Sequence, residues 1–148
     1  MGYVDVDGAL QEHRRAISGY IFMVDGGAVS WSSKKKELVT LSAAEAEYVA
    51  QTHVEKEALW LCRLLTENFK SMDMPTTLFS DSKSAIALAH DGHYHARTKH
   101  INIRYIIEAG TIKLFYCPTN DMMANTLTKP LPSIKAKHFT TVLGLTTV

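Results

Sequence analysis

The chain has 148 residues, 46% of them hydrophobic and 21% charged, and carries a net charge of +1. That is enough chain for one buried core and too little for two ordinary domains, so residues 1–148 are expected to form a single domain. Composition excludes a disordered tail, a collagen-like fibre and a coiled coil, and no apolar run approaches the ~20 residues of a membrane helix.

A short β-rich run, Tyr3-Val4-Asp5-Val6, opens the chain. Residues 17–24 read as a second strand. Asp25-Gly26-Gly27 follows, a strong hairpin signal, and residues 28–33 supply the returning strand. The period then changes. Ala46, Ala50, Val54, Ala58, Leu61 and Leu65 recur every three or four residues, which is one face of a helix over 43–67. Ser42 and Glu45 form a capping box at its start. Residues 76–80 form a strand, and Ser82 caps a short helix over 85–90. A helix is expected over 101–109, ended by Gly110. A fifth strand over 112–117 stops at Pro118. Short helices near 121–127 and 134–143 close the chain, the first capped by Asp121. The order predicts an α/β fold: a mixed five-stranded sheet, three antiparallel meander strands and then parallel ones, with helices on both faces.

The acids are placed unevenly on this frame. Asp5 and Asp7 share one side of the first strand. Asp81 ends the fourth strand, where ligands gather in open sheets with crossovers. Glu47 lies on the apolar stripe of the long helix, an unusual place for an acid that is neither paired nor metal-bound. Acids from separate elements can converge on hard divalent cations such as Mg²⁺. From spacing alone the ordinary alternative stands: Asp81-Ser82 is a common helix entry, and Asp5 and Asp7 suit a turn.

Eight blocks add a resemblance. They are Tyr3-Val4-Asp5-Val6-Asp7, Arg14 to Tyr20, Gly26 to Lys35, Leu41 to Ala50, Lys56 to Leu61, Ser80 to Ala87, His95 to Ile101 and Leu127 to Pro132. Together, and in this order, they resemble the ribonuclease H domain of copia-type retrotransposon polyproteins, which lies beside the reverse transcriptase. The resemblance implies a ribonuclease H-like fold and cleavage of the RNA strand of RNA–DNA hybrids with two Mg²⁺ ions, for which Mn²⁺ can substitute. It implies Asp5, Glu47 and Asp81 as metal-binding catalytic acids. Asp7 matches a frequent family acid that is not the usual ligand.

Several departures stand out. The family's fourth acid falls on Asn125, a neutral oxygen ligand that cannot replace the lost charge. Gly8 follows Asp7 directly, where the family has a Trp-Ala pair. About five helical residues are missing after Tyr105, which turns a helix face by roughly 140°. Asn102 replaces another frequent acid. These changes describe a degenerate or domesticated copy with impaired activity. The alternative is a non-catalytic domain of the same fold that binds nucleic acid or a protein partner.

The remaining features concern binding and compartment. Residues 1–70 carry net −2 and residues 71–148 net +3. Arg97, Lys99, His100 and Arg104 form a basic cluster suited to the phosphates of a hybrid, and Lys34, Lys35 and Lys36 form a second. Solvated surface explains both equally well on charge alone. His93, His95 and His100 have no nearby cysteine and make a weak zinc pattern. Trp31, Tyr48 and Trp60 lie inside regular elements and read as core. Cys62 and Cys117 are too few for a disulfide scaffold and read as reduced thiols of an intracellular protein, cytoplasmic or nuclear.

Overall fold

The computed structural model describes residues 1–7, 17–35, 43–69, 75–90, 107 and 109–145. For residues 7, 43–49, 51, 69 and 88 it describes the backbone. The strands are β1 (Gly2–Asp7), β2 (Ile17–Val24), β3 (Gly27–Lys35), β4 (Thr76–Ser80) and β5 (Ile112–Tyr116). The helices are α1 (Ala43–Phe69), α2 (Lys83–His90), α3 (Asn125–Thr128) and α4 (Ser133–Val142). The strands form one sheet in the order β3-β2-β1-β4-β5. The pairs β1–β2 and β2–β3 are antiparallel, while β1–β4 and β4–β5 are parallel.

The hairpin forms where its turn residues require it. Val24 pairs with Gly27, leaving Asp25 and Gly26 as the two loop residues. Both have positive φ, 49° and 80°. A type I′ turn needs that, and its twist matches the flanking strands.

Alternation along the strands separates two faces. On one, Val4, Val6, Phe22, Leu78 and Ile112 meet Ala50, Val54 and Ala58 of α1. The helical stripe is therefore real from Ala50 to Ala58, with Leu61 packed against its edge, while the side chains of Ala46 and Glu45 lie outside the described residues. Fully burying a valine or leucine contributes about 1.5–3 kcal/mol relative to leaving it exposed. The α2 helix packs on α1 and β5, burying Ala85 and Ala89 one turn apart. Its start is capped as expected: Ser82 Oγ accepts the Ala85 N–H at 3.1 Å. On the other face, Ile21 and Met23 meet Met123, Phe139 and Leu143.

Three expectations need correction. Trp31 and Trp60 are 63% and 55% exposed rather than core. Trp31 lies on edge strand β3, and Trp60 lies off the stripe, two residues after Ala58. The helix expected from Asp121 begins at Asn125, and Ala124 stands at its N-cap with no side-chain cap. Met122 and Ala124 are wholly buried against Tyr3 and Phe79, so the chain is pinned in turns before it can coil. Asn125, Thr126 and Leu127 then donate to carbonyls three residues back, a tight single turn.

Ser42, most of the 101–109 helix and the side chain of Tyr48 lie outside the described residues. Gly110, with φ 72°, donates its N–H to the Ile107 carbonyl. Both cysteines are free, Cys117 buried and Cys62 half-buried. Among the described residues no helix is long and apolar enough to cross a membrane.

Candidate nucleic-acid cleavage site

Register places the acids. Tyr3, Phe79 and Phe115 are cross-strand partners on β1, β4 and β5. Their rings form a ladder, with centroids 5.0 Å and 6.2 Å apart. Two residues further along the same face come Asp5, Asp81 and Cys117. Asp5 thus rises from an apolar, aromatic floor and is only 3% exposed, while Asp81 is partly exposed at the strand's end. A tight crevice with no room for a water molecule runs between the strand ends, bordered by Val4, Asp5, Val6, Ser80, Asp81 and Ser82.

A glycine lets a helix close over this row. Gly19 is the β2 partner of Asp5. A Cβ at Gly19 would lie 2.9 Å from both Leu127 Cβ and Thr128 Cγ2, a separation no packed side chain tolerates. With hydrogen there instead, α3 lies directly on the sheet. The Ser33 hydroxyl fastens it further by donating to the Leu127 carbonyl at 2.7 Å.

A hydrogen-bonded chain then joins the predicted residues. The Thr128 hydroxyl donates to Asp5 Oδ2. Lys129 Nζ lies 3.4 Å from Asp5 Oδ1 and donates to Asn125 Oδ1 at 2.8 Å. Asn125, 2% exposed, donates its Nδ2 to the Thr119 carbonyl at 2.6 Å. The Thr119 hydroxyl donates to Asp81 Oδ2 at 2.9 Å. Pro130 fixes the exit, because the residue before a proline is driven extended and Lys129 has φ −134° and ψ 146°.

The electrostatics follow from burial. Desolvation pushes the Asp5 carboxyl above its ordinary value, and the negative charge of Asp81 pushes the same way. Thr128 and Lys129 pull it down without cancelling the rise. The Cys117 thiol is also raised, by burial and then by the charges of Asp121 and Asp81.

Asp5, Asp81 and Asn125 are therefore brought together. Glu47 lies in the first turns of α1, and its side chain lies outside the described residues, as do Lys36, Arg97, Lys99, His100 and Arg104. Lys34 and Lys35 end β3, exposed and two strands from Asp5. Lys34 borders a groove with Tyr20, Ser32, His53 and Lys56 between β2, β3 and α1. The bridging residues Thr119, Thr128 and Lys129 were missed in the sequence. The Leu127 to Pro132 block contains Thr128 and Lys129 without giving their roles, and the four-residue spacing of Asn125 and Lys129 hinted at one contact. Among the described residues no three His, Cys, Asp or Glu side chains form a metal-binding group.

The comparisons agree with this fold. The chain superposes on the crystal structure of LC11-RNase H1 in complex with RNA/DNA hybrid, with a TM-score of 0.55 and 16% identity, covering 86% of this chain and 91% of that one. Its fold is that of ribonuclease H. In sequence it is 39% identical over 150 residues to the Retrovirus-related Pol polyprotein from transposon TNT 1-94 of Nicotiana tabacum, covering 97% of this chain and 11% of that protein. To the Pol polyprotein from transposon RE1 of Arabidopsis thaliana it is 35% identical, covering 88% of this chain and 9% of that protein. No family model matches. The chain is homologous to a segment of copia-type retrotransposon Pol polyproteins, and it spans about a tenth of the length of these relatives.

Proposed function

We propose that the chain is a ribonuclease H-type domain that hydrolyses the RNA strand of RNA–DNA hybrids with two Mg²⁺ ions, and that Asn125 weakens this activity. Mn²⁺ substitutes for Mg²⁺. One observation carries the reading: Asp5, Asp81 and Asn125, from three remote segments, are tied into one network on the β1–β4 crevice.

The donor set suits a hard cation. Asp5 Oδ1 and Asn125 Oδ1 already face one positive group, the Lys129 ammonium, so these oxygens are arranged for a cation. Asp5, Glu47 and Asp81 would hold the metal, and the Asn125 carbonyl would offer a neutral fourth oxygen. Bound there, divalent ions would supply water activation and stabilisation of the leaving oxygen of a phosphodiester. Thr128 orients the Asp5 carboxylate, and Thr119 that of Asp81, so neither rotates freely. Lys34, Lys35, Arg97, Lys99, His100 and Arg104 bind hybrid phosphates. The parent partner is the reverse transcriptase domain of a Pol polyprotein, and the compartment is intracellular, in keeping with two free cysteines.

A labelled RNA–DNA hybrid tests this. Weak Mg²⁺-dependent cleavage is expected from the natural chain. Asn125→Asp should raise it, because a carboxylate improves the occupancy and position of the metal by more than the lost Asn125 Nδ2 bond to Thr119 disturbs it. Asp81→Asn should abolish it. Equal, background cleavage by all three proteins in Mg²⁺ and Mn²⁺ would favour a non-catalytic domain.

A further inference from the structure

We propose that Lys129 is a built-in cation that occupies the Asp5–Asn125 oxygen pair in the metal-free protein and competes with Mg²⁺ for it. The inference rests on the metal-binding reading above and concerns its regulation.

The geometry makes the pair a receptor for positive charge. Asn125 is an amide, and either end could face inward. Its Nδ2 is fixed on the Thr119 carbonyl at 2.6 Å, so Oδ1 points to the ammonium, 2.8 Å away. Asp5 is held in the same way: Thr128 takes Oδ2, leaving Oδ1 to the ammonium at 3.4 Å. Both oxygens belong to residues that are 2–3% exposed.

Lys129 itself is only partly enclosed. Its side chain is 30% exposed, against 2% for that of Asp5. The residue sits at the extended exit of α3, so the stem is anchored while the ammonium has a path to water. Lysine suits this role, being a compact charge on a flexible stem that holds oxygens without locking them in a bidentate fork. An ammonium and a divalent ion compete for these two oxygens, because at such range their repulsion is strong at the reduced dielectric of a largely buried site. Metal entry therefore requires Lys129 to withdraw, and the apparent Mg²⁺ affinity is lowered by that step.

Calorimetric titration of the metal-free protein with MgCl₂, alongside Mg²⁺-dependent melting, tests the competition. Lys129→Met should bind Mg²⁺ about tenfold more tightly than the natural chain, since the repelling charge is gone. It should melt lower without metal and gain more from metal. Lys129→Gln, which keeps a donor for Asp5 without the charge, should show the same tightening with the packing preserved. Lys129→Arg, which keeps the charge and adds a fork of donors, should bind Mg²⁺ no more tightly than the natural chain. Affinity unchanged or weaker in Lys129→Met and Lys129→Gln, with Asp81→Asn still lowering it, would overturn the competition and leave the metal site standing. No Mg²⁺ binding by any of these proteins would overturn both.

Discussion

The two faces of the sheet do different work. The face under α1 is built mainly from apolar side chains, Val4, Val6, Phe22, Leu78 and Ile112 against Ala50, Val54 and Ala58, although α1 also buries Glu55. The face under α3 and α4 has an apolar patch around Ile21, Met23 and Phe139, but it also buries Asp5, Asn125 and Thr128. Burying such groups costs free energy unless each is partnered. The first face stabilises the fold, and the second uses part of that stability to hold polar atoms in place.

Substitutions should separate these roles, the largest effect coming from the apolar face. Leu78 is fully buried in β4, so Leu78→Ala should cost about 2–5 kcal/mol. Urea unfolding would show it, with Mg²⁺ affinity of the remaining folded protein unchanged. Gly19→Ala should cost less, about 1–3 kcal/mol, by pushing α3 off the sheet. Its distinguishing effect is on the site: hybrid cleavage should fall far more than in Leu78→Ala, because Thr128 and Lys129 move with α3. Equal losses of cleavage at matched stability would erase the distinction between the faces.

The smallest effect concerns pH. The carboxyl of Asp5 is raised above its ordinary value of 3.8 by burial first and by Asp81 second. The folded state then holds this proton more tightly than the unfolded state does. Its contribution to stability is full below the ordinary value and is lost as pH rises through the raised one. In metal-free buffer, Asp5→Asn should therefore gain melting temperature relative to the natural chain as pH climbs from 3.8 towards neutrality. A difference that stays flat across that range, or shrinks, would mean Asp5 is not strained by burial.

The same contrast explains what the sequence made legible. The apolar face follows from local rules: a period of three to four in α1, alternation in the strands, Asp25-Gly26 at the hairpin and Ser82 at a helix start. Each is set by residues close in the chain. Asp5 could be placed because it sits on a strand, Asp81 because it directly follows one, and Asn125 because a motif located it. The bonds that join them could not, since Thr128 and Lys129 reach Asp5 across 123 and 124 residues. Trp31 and Trp60 were misread for a related reason: strand or helix membership does not reveal an edge position or the angle to the stripe. Asp121 has the chemistry of a cap, but the burial of Met122 and Ala124 decides where the helix begins.

Mn²⁺ titration followed by NMR tests most directly whether the polar face is the metal site. Paramagnetic broadening should first remove the backbone amide signals of Asp5, Asp81 and Asn125 together, with the Asn125 side-chain amide. Thr66, near the far end of α1 and about 28 Å along the helix from Glu47, should stay sharp at the same Mn²⁺ level. Broadening centred on exposed acids such as Glu67 or Asp121, with the Asp5 and Asp81 signals intact, would contradict the assignment of the site.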